Sequence, residues 1–251
     1  MFEKRKVLSF DTIKSVFLKS MFGLWLMHLV STVIYFSKIE ALNFGKYPLL
    51  DLFYFEYEKN LPAFFSAFLL LSCGYLLLHL SKKDKENNLP YKSAKRLGYV
   101  FFFLACDEWF SIHEILLQVP KIVIPFWLYV YIPLAILVLI SSIPFLKSLP
   151  ARILKLTLLS GFLFISGAVL FEIGIELFSI IHFMDLEYQV YIILQEATEM
   201  AGSCLFAITL MQLFKERYKQ TEINVAFRGF VYLFIFCFIE AVATYISFYN
   251  A

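Results

Sequence analysis

From about residue 16 onward the chain alternates long apolar runs with short polar connections. Runs near the ~20 residues that cross a hydrocarbon layer as a helix fall at roughly 16–36, 61–81, 97–118, 123–146, 153–179, 189–214 and 229–249. The pattern predicts an all-α, polytopic membrane protein of about seven transmembrane helices, with residues 1–251 forming one helical-bundle domain. Pro120, Pro125 and Pro150 lie near run ends, where a missing N–H is cheap. Pro133 and Pro144 lie inside the fourth run and predict kinks there.

The connections carry the cations unevenly. If the N-terminus is cytoplasmic, 18 of the 22 Lys and Arg fall in inner segments, and only Lys38, Lys46, Lys59 and Lys121 fall outside. The positive-inside rule then gives a cytoplasmic N-terminus and, with seven spans, a C-terminus outside. The opening "MFEKRKVLSF" is basic, but no small-residue cleavage site follows the first run, so a retained first helix is expected.

Composition agrees. The chain is 61% hydrophobic and 17% charged, with a mean hydropathy of +0.75; soluble domains run nearer ~45–50% and ~25%. An integral, multi-pass location follows, in the plasma membrane if the source is bacterial. The four cysteines sit in apolar stretches without a CxxC and read as small hydrophobes. Nucleic-acid binding has no support beyond the basic stretch 82–96, which topology already explains.

The acids change this plain picture. "DEWFSIHE", residues 107–114, places Asp107, Glu108, His113 and Glu114 inside the third run. No Lys or Arg occurs between Lys155 and Lys215, yet that stretch holds Glu172, Glu176, Asp185, Glu187, Glu196 and Glu199. A carboxylate at mid-membrane costs on the order of 2.5–3.5 kcal/mol on insertion scales. With no cationic partner in these spans, protons, metal ions or water must neutralise the acids.

Depth and facing suggest one site. At ~1.5 Å per residue on unbroken helices, Glu114 lies ~27 Å above Arg96, Glu172 ~26 Å above Lys155, and Glu199 ~24 Å above Lys215. Asp107, Ser111, Glu114 and Gln118 share one helical stripe, which makes the third run the expected centre of the bundle, with Glu108 and His113 flanking that stripe on opposite sides. Glu172 and Glu176 form a second stripe, and Glu196, Glu199 and Ser203 a third. Glu240 lies on the seventh run and His28 on the first.

One nitrogen and several carboxylate donors on facing helices are the ligand types from which bundles build di-metal centres. The expected metal set is His113, Glu114, Glu172, Glu176, Glu196 and Glu199, holding iron, manganese or zinc. Asp107 and Glu108 would be the catalytic proton carriers, and His28, Ser111, Ser203 and Glu240 a surrounding polar shell. The expected activity is that of a metal-dependent membrane hydrolase or oxidoreductase acting on a lipid or other hydrophobic substrate in the outer half of the bilayer. The alternative is a proton or divalent-cation transporter or channel using the same carboxylates as relays. Taken singly, Glu240 or His28 is an ordinary packing group; only the joint occurrence asks for more. The chain has no HExxH, GxSxG or glycine-rich phosphate loop.

Overall fold

The computed structural model describes residues 8–37, 52–55, 60–113, 126–171, 173–174 and 186–223. Its helices are α1 (Phe10–Ser37), α2 (Leu61–Glu86), α3 (Tyr91–Phe110), α4 (Phe126–Lys147), α5 (Ala151–Ile165) and α6 (Leu186–Tyr218). A π-helical turn, Ser166–Phe171, continues α5. The only strands among the described residues are β1 (Leu8–Ser9) and β2 (Glu222–Ile223). Among the described residues, five helical segments are long and apolar enough to cross a membrane: Phe10–Ile34, Leu61–Glu86, Tyr129–Lys147, Ala151–Phe171 and Tyr188–Tyr218. The expected seventh run, 229–249, lies outside the described residues.

The chain divides into two compact units. The first comprises Met1–Phe65 and Leu213–Ala251. In it β1 pairs antiparallel with β2, Leu8 opposite Ile223 and Ser9 opposite Glu222. Ser9 Oγ accepts the Thr12 N–H at 3.2 Å, which satisfies one of the donors that a helix start leaves open. Phe10 is buried against Phe214, and Lys215 donates to Asp11 at 2.7 Å. Farther along α1, His28 Nδ1 accepts the Phe55 N–H at 3.2 Å, and the imidazole stacks on the Phe55 ring at 4.0 Å. Asn60 caps α2 by accepting the Ala63 N–H, and its amide donates to Tyr54 O.

The second unit, Ser66–Gln212, is built by close backbone approach. A Cβ on Gly74 of α2 would lie 3.0 Å from Gly98 O of α3, and one on Gly202 of α6 would lie 2.6 Å from Phe164 N of α5. Small residues let helices touch where lipid offers no hydrophobic drive to associate. Cys73 of α2 donates to Ser203 O of α6, and Phe101 of α3 stacks on Phe206 of α6 at 5.0 Å. Most of α2 and α6 is buried, whereas α4 exposes apolar side chains such as Ile132, Leu137 and Ile140, as a lipid-facing helix would.

Two expectations about the third run are corrected. It is not central: α3 buries Ser93, Ala94, Gly98, Ala105 and Asp107, but Tyr99, Phe103 and Phe110 form an exposed stripe. Nor is it continuous from 97 to 118, because α3 ends at Phe110 and Ser111 takes a left-handed conformation with φ 50° and ψ 46°. The cause is local. The Asp107 carboxylate accepts the His113 backbone N–H at 2.9 Å, a donor that would otherwise bond back to Trp109 O in an unbroken helix. The unbroken helix on which the shared stripe of Asp107, Ser111, Glu114 and Gln118 and the depth of Glu114 rest is therefore absent at Ser111; Glu114 and Gln118 themselves lie outside the described residues.

Candidate functional site

The break at Ser111 builds a polar cluster at the α3–α4 contact. Asp107 is buried. Its Oδ1 accepts two hydrogen bonds, from the Tyr131 hydroxyl at 2.8 Å and from the His113 backbone N–H at 2.9 Å. Its Oδ2 lies 3.4 Å from His113 Nδ1, within range of charge pairing and longer than an ordinary hydrogen bond. On an unbroken helix, residues six apart point in quite different directions. The left-handed turn returns His113 toward the acid instead. A carboxylate beside Nδ1 favours a proton on that nitrogen and turns Nε2 away from it. Ser111 is buried within the turn, and its N–H bonds to Asp107 O. Glu108, one position on from Asp107, is half-buried.

A second polar region lies where α5 passes into its π-helical turn. A Cβ on Gly167 would sit 2.3 Å from Glu199 Cγ and 2.7 Å from Gln195 O, so only glycine lets α6 approach here. Glu196 and Glu199 share one face of the continuous helix α6, both half-buried. Ser203, one turn farther, is buried and receives the Cys73 thiol on its backbone carbonyl. The π-helical turn runs to Phe171, immediately before Glu172. Such turns interrupt the i→i−4 ladder and recur at functional sites.

Glu114, Glu172, Glu176 and Glu240 lie outside the described residues. Among the described residues, no group of three or more His, Cys, Asp and Glu could hold a metal ion. Asp107, Ser111 and His113 are brought together; Asp107, Glu108 and His113 do not converge with Glu196 and Glu199 as one metal-binding group. His28 belongs to the other unit, where Phe55 and Thr32 engage its two ring nitrogens.

Tyr131 and Gly167 were not singled out in the sequence. Tyr131 had a legible signal: Asp107 and Tyr131, like Arg96 and Ser141, lie at similar distances on either side of Pro120, as partners across an antiparallel hairpin do. Gly167 had none, since a glycine in an apolar run does not announce what it packs against.

Among the described residues, one titrating group is clearly perturbed in the charged first turn of α1, ahead of the apolar run that begins near residue 16. Hydrogen bonding to Lys215, reinforced by the charge of that ammonium, holds the Asp11 carboxyl below its usual value. At ~1.5 Å per residue, α6 is longer than a hydrocarbon core of ~30 Å, so its charged end projects beyond the span.

These features define a multi-pass helical membrane protein with buried polar groups at two helix irregularities. Over residues 23–214, most of its length, the chain matches a family described as a domain of unknown function (DUF8692), and it belongs to that family. Asp107, His113, Tyr131, Gly167, Glu196 and Glu199 all fall within the matched segment. No curated protein and no solved structure matches the chain.

Proposed function

We propose that the protein is a membrane-embedded, metal-dependent enzyme acting on a lipid or another hydrophobic substrate. The pairing of Asp107 Oδ2 with His113 Nδ1 carries this reading. A carboxylate behind one ring nitrogen is the usual way to orient an imidazole whose other nitrogen binds a metal or takes a proton. By donor type, His113 with Glu114, or Glu196 and Glu199 with Glu172 and Glu176, would suit iron, manganese or zinc. The bound ion would supply Lewis acidity. Asp107 would hold the imidazole and, with Glu108, exchange protons with substrate, while Tyr131 fixes the carboxylate rotamer. The cation asymmetry supports a cytoplasmic N-terminus and a site in the outer half of the bilayer.

Elemental analysis of the detergent-purified protein tests the reading. About one or two equivalents of a first-row metal are expected for a helix-borne carboxylate centre, and His113→Ala or Glu199→Ala should lower that content. A folded protein that is metal-free as isolated and takes up none on reconstitution would overturn it. Cysteine labelling from outside intact cells tests orientation: residues 82–96 should be inaccessible and residues 180–188 accessible.

The helix irregularities favour a second reading, proton or divalent-cation transport. The left-handed break at Ser111 and the π-helical turn Ser166–Phe171 each adjoin a carboxylate, and interrupted membrane helices commonly line ion sites. Proton or manganese flux into proteoliposomes, abolished by Asp107→Asn or Glu199→Gln, would select it.

A further inference from the structure

The outward face of α3 carries side chains that neither reading uses. At 100° per residue, Lys92, Lys95, Arg96, Tyr99, Phe103 and Phe110 fall on a stripe roughly 100° wide, and all six are exposed. They are sorted along the helix, with three cations in its first two turns and aromatic rings after them. Lys95 Nζ lies 5.8 Å from the centre of the Tyr99 ring. Arg96 Nη2 donates to Ser141 O of α4 at 3.2 Å, which holds the guanidinium beside the groove between the two helices and uses only one of its five N–H groups. Phe103 meets Tyr131 of α4 farther up the same groove, ring centres 6.3 Å apart. No carboxylate shares the stripe: Asp107 flanks it but is buried against Tyr131, and the exposed Glu86 ends α2. The N-terminus of α3, with no side-chain cap, adds its positive dipole end to the cations.

On a helix that enters a membrane, exposed cations followed by exposed aromatic rings mark the passage from headgroups to hydrocarbon. Lys92 and Tyr99 are ~10 Å apart along the axis, and one leaflet contributes ~15 Å of hydrocarbon. A phosphate at the cations would therefore lay an acyl chain over Tyr99 and Phe103. We propose that the α3–α4 groove is a binding site for one anionic phospholipid, its phosphate on Lys92, Lys95 and Arg96 and a chain along Tyr99 and Phe103. The proposal needs only that the protein is embedded in a membrane and stands apart from the metal and transport readings.

Full-length protein in detergent, titrated with phosphatidylglycerol or phosphatidylcholine, provides the test, with bound lipid counted by native mass spectrometry. Phosphatidylglycerol should bind in preference. The K92Q/K95Q/R96Q variant should lose roughly ten- to hundredfold of that preference. K14Q/K19Q/K219Q removes the same charge elsewhere and should keep it. Phe103→Ser should weaken both lipids without changing the preference. Should the triple variant fail to fold, Lys95→Gln and Arg96→Gln singly should each lose a few-fold. Wild-type binding without headgroup preference, cation variants with undiminished preference, an equal loss in the control, or competition by inorganic phosphate at concentrations matching the lipid would overturn the site.

Discussion

The Tyr131 hydroxyl donates to Asp107 Oδ1 at 2.8 Å and so joins α4 to the end of α3. Hydrogen bonds to a charged group contribute about 1.5–3 kcal/mol. Tyr131→Phe removes this one and keeps the ring against Phe103. Thermal unfolding should show a loss of that order, and Asp107→Asn, which keeps an acceptor oxygen, should cost less than Asp107→Leu. An unchanged melting temperature in Tyr131→Phe would show that this bond does not hold the two helices.

Gly167 and Gly161 make a matched pair. A Cβ at 167 meets Glu199 Cγ, Gln195 O and Thr198 Oγ1, whereas one at 161 meets nothing within 4 Å. Gly167→Ala must push α5 and α6 apart and is expected to cost about 1–3 kcal/mol, as overpacking does. Gly161→Ala should be neutral or stabilising by up to ~1 kcal/mol through helix propensity. Equal effects at the two positions would contradict the close approach.

Asn60 holds two connections, the first turn of α2 and the carbonyl of Tyr54. Asn60→Ala should cost about 0.5–2 kcal/mol for the lost cap alone, and Asn60→Asp, which keeps the cap oxygen, should cost less. His28→Leu should be worse than a volume change implies, since a buried N–H left without an acceptor costs about 1–3 kcal/mol. Denaturation of the purified variants ranks them.

The small contribution of the Asp11–Lys215 pair should be lost only in acid. Its carboxyl titrates lower when folded than its ordinary value of 3.8, so the contribution is present above that value and disappears as pH falls through the folded one. Asp11 is 81% exposed at its side chain, so the effect is small and screened by salt. Lys215→Met should lower melting only slightly at neutral pH, and its difference from the wild type should vanish as the pH falls through the folded value. A large neutral-pH loss would mean that Lys215 holds more than this carboxylate.

Membrane-crossing helices are legible because each solves its own hydrogen bonding. Every backbone group must pair within the segment, so ~20 apolar residues suffice to announce a span. The first two runs, expected at about 16–36 and 61–81, appear as α1 and α2, extended past those limits by charged or polar turns. The third run departs from its periodicity because periodicity counts the Asp107 carboxylate only as a side chain carried on a helix. In the folded chain it ends that helix.

The sequence alone therefore determined what depends on composition along a line: an all-helical chain, apolar spans, and acids set among them without nearby cations. Tertiary structure decided what depends on neighbours. It made α2 and α6 the buried helices, since glycine contacts and ring stacking, not polarity, choose which helices touch. It turned His113 back toward Asp107 through one left-handed residue, which no helical periodicity encodes. It also set Tyr131 against that acid and Gly167 against Glu199, because a buried polar atom takes whichever donor the packed backbones bring within about 3 Å.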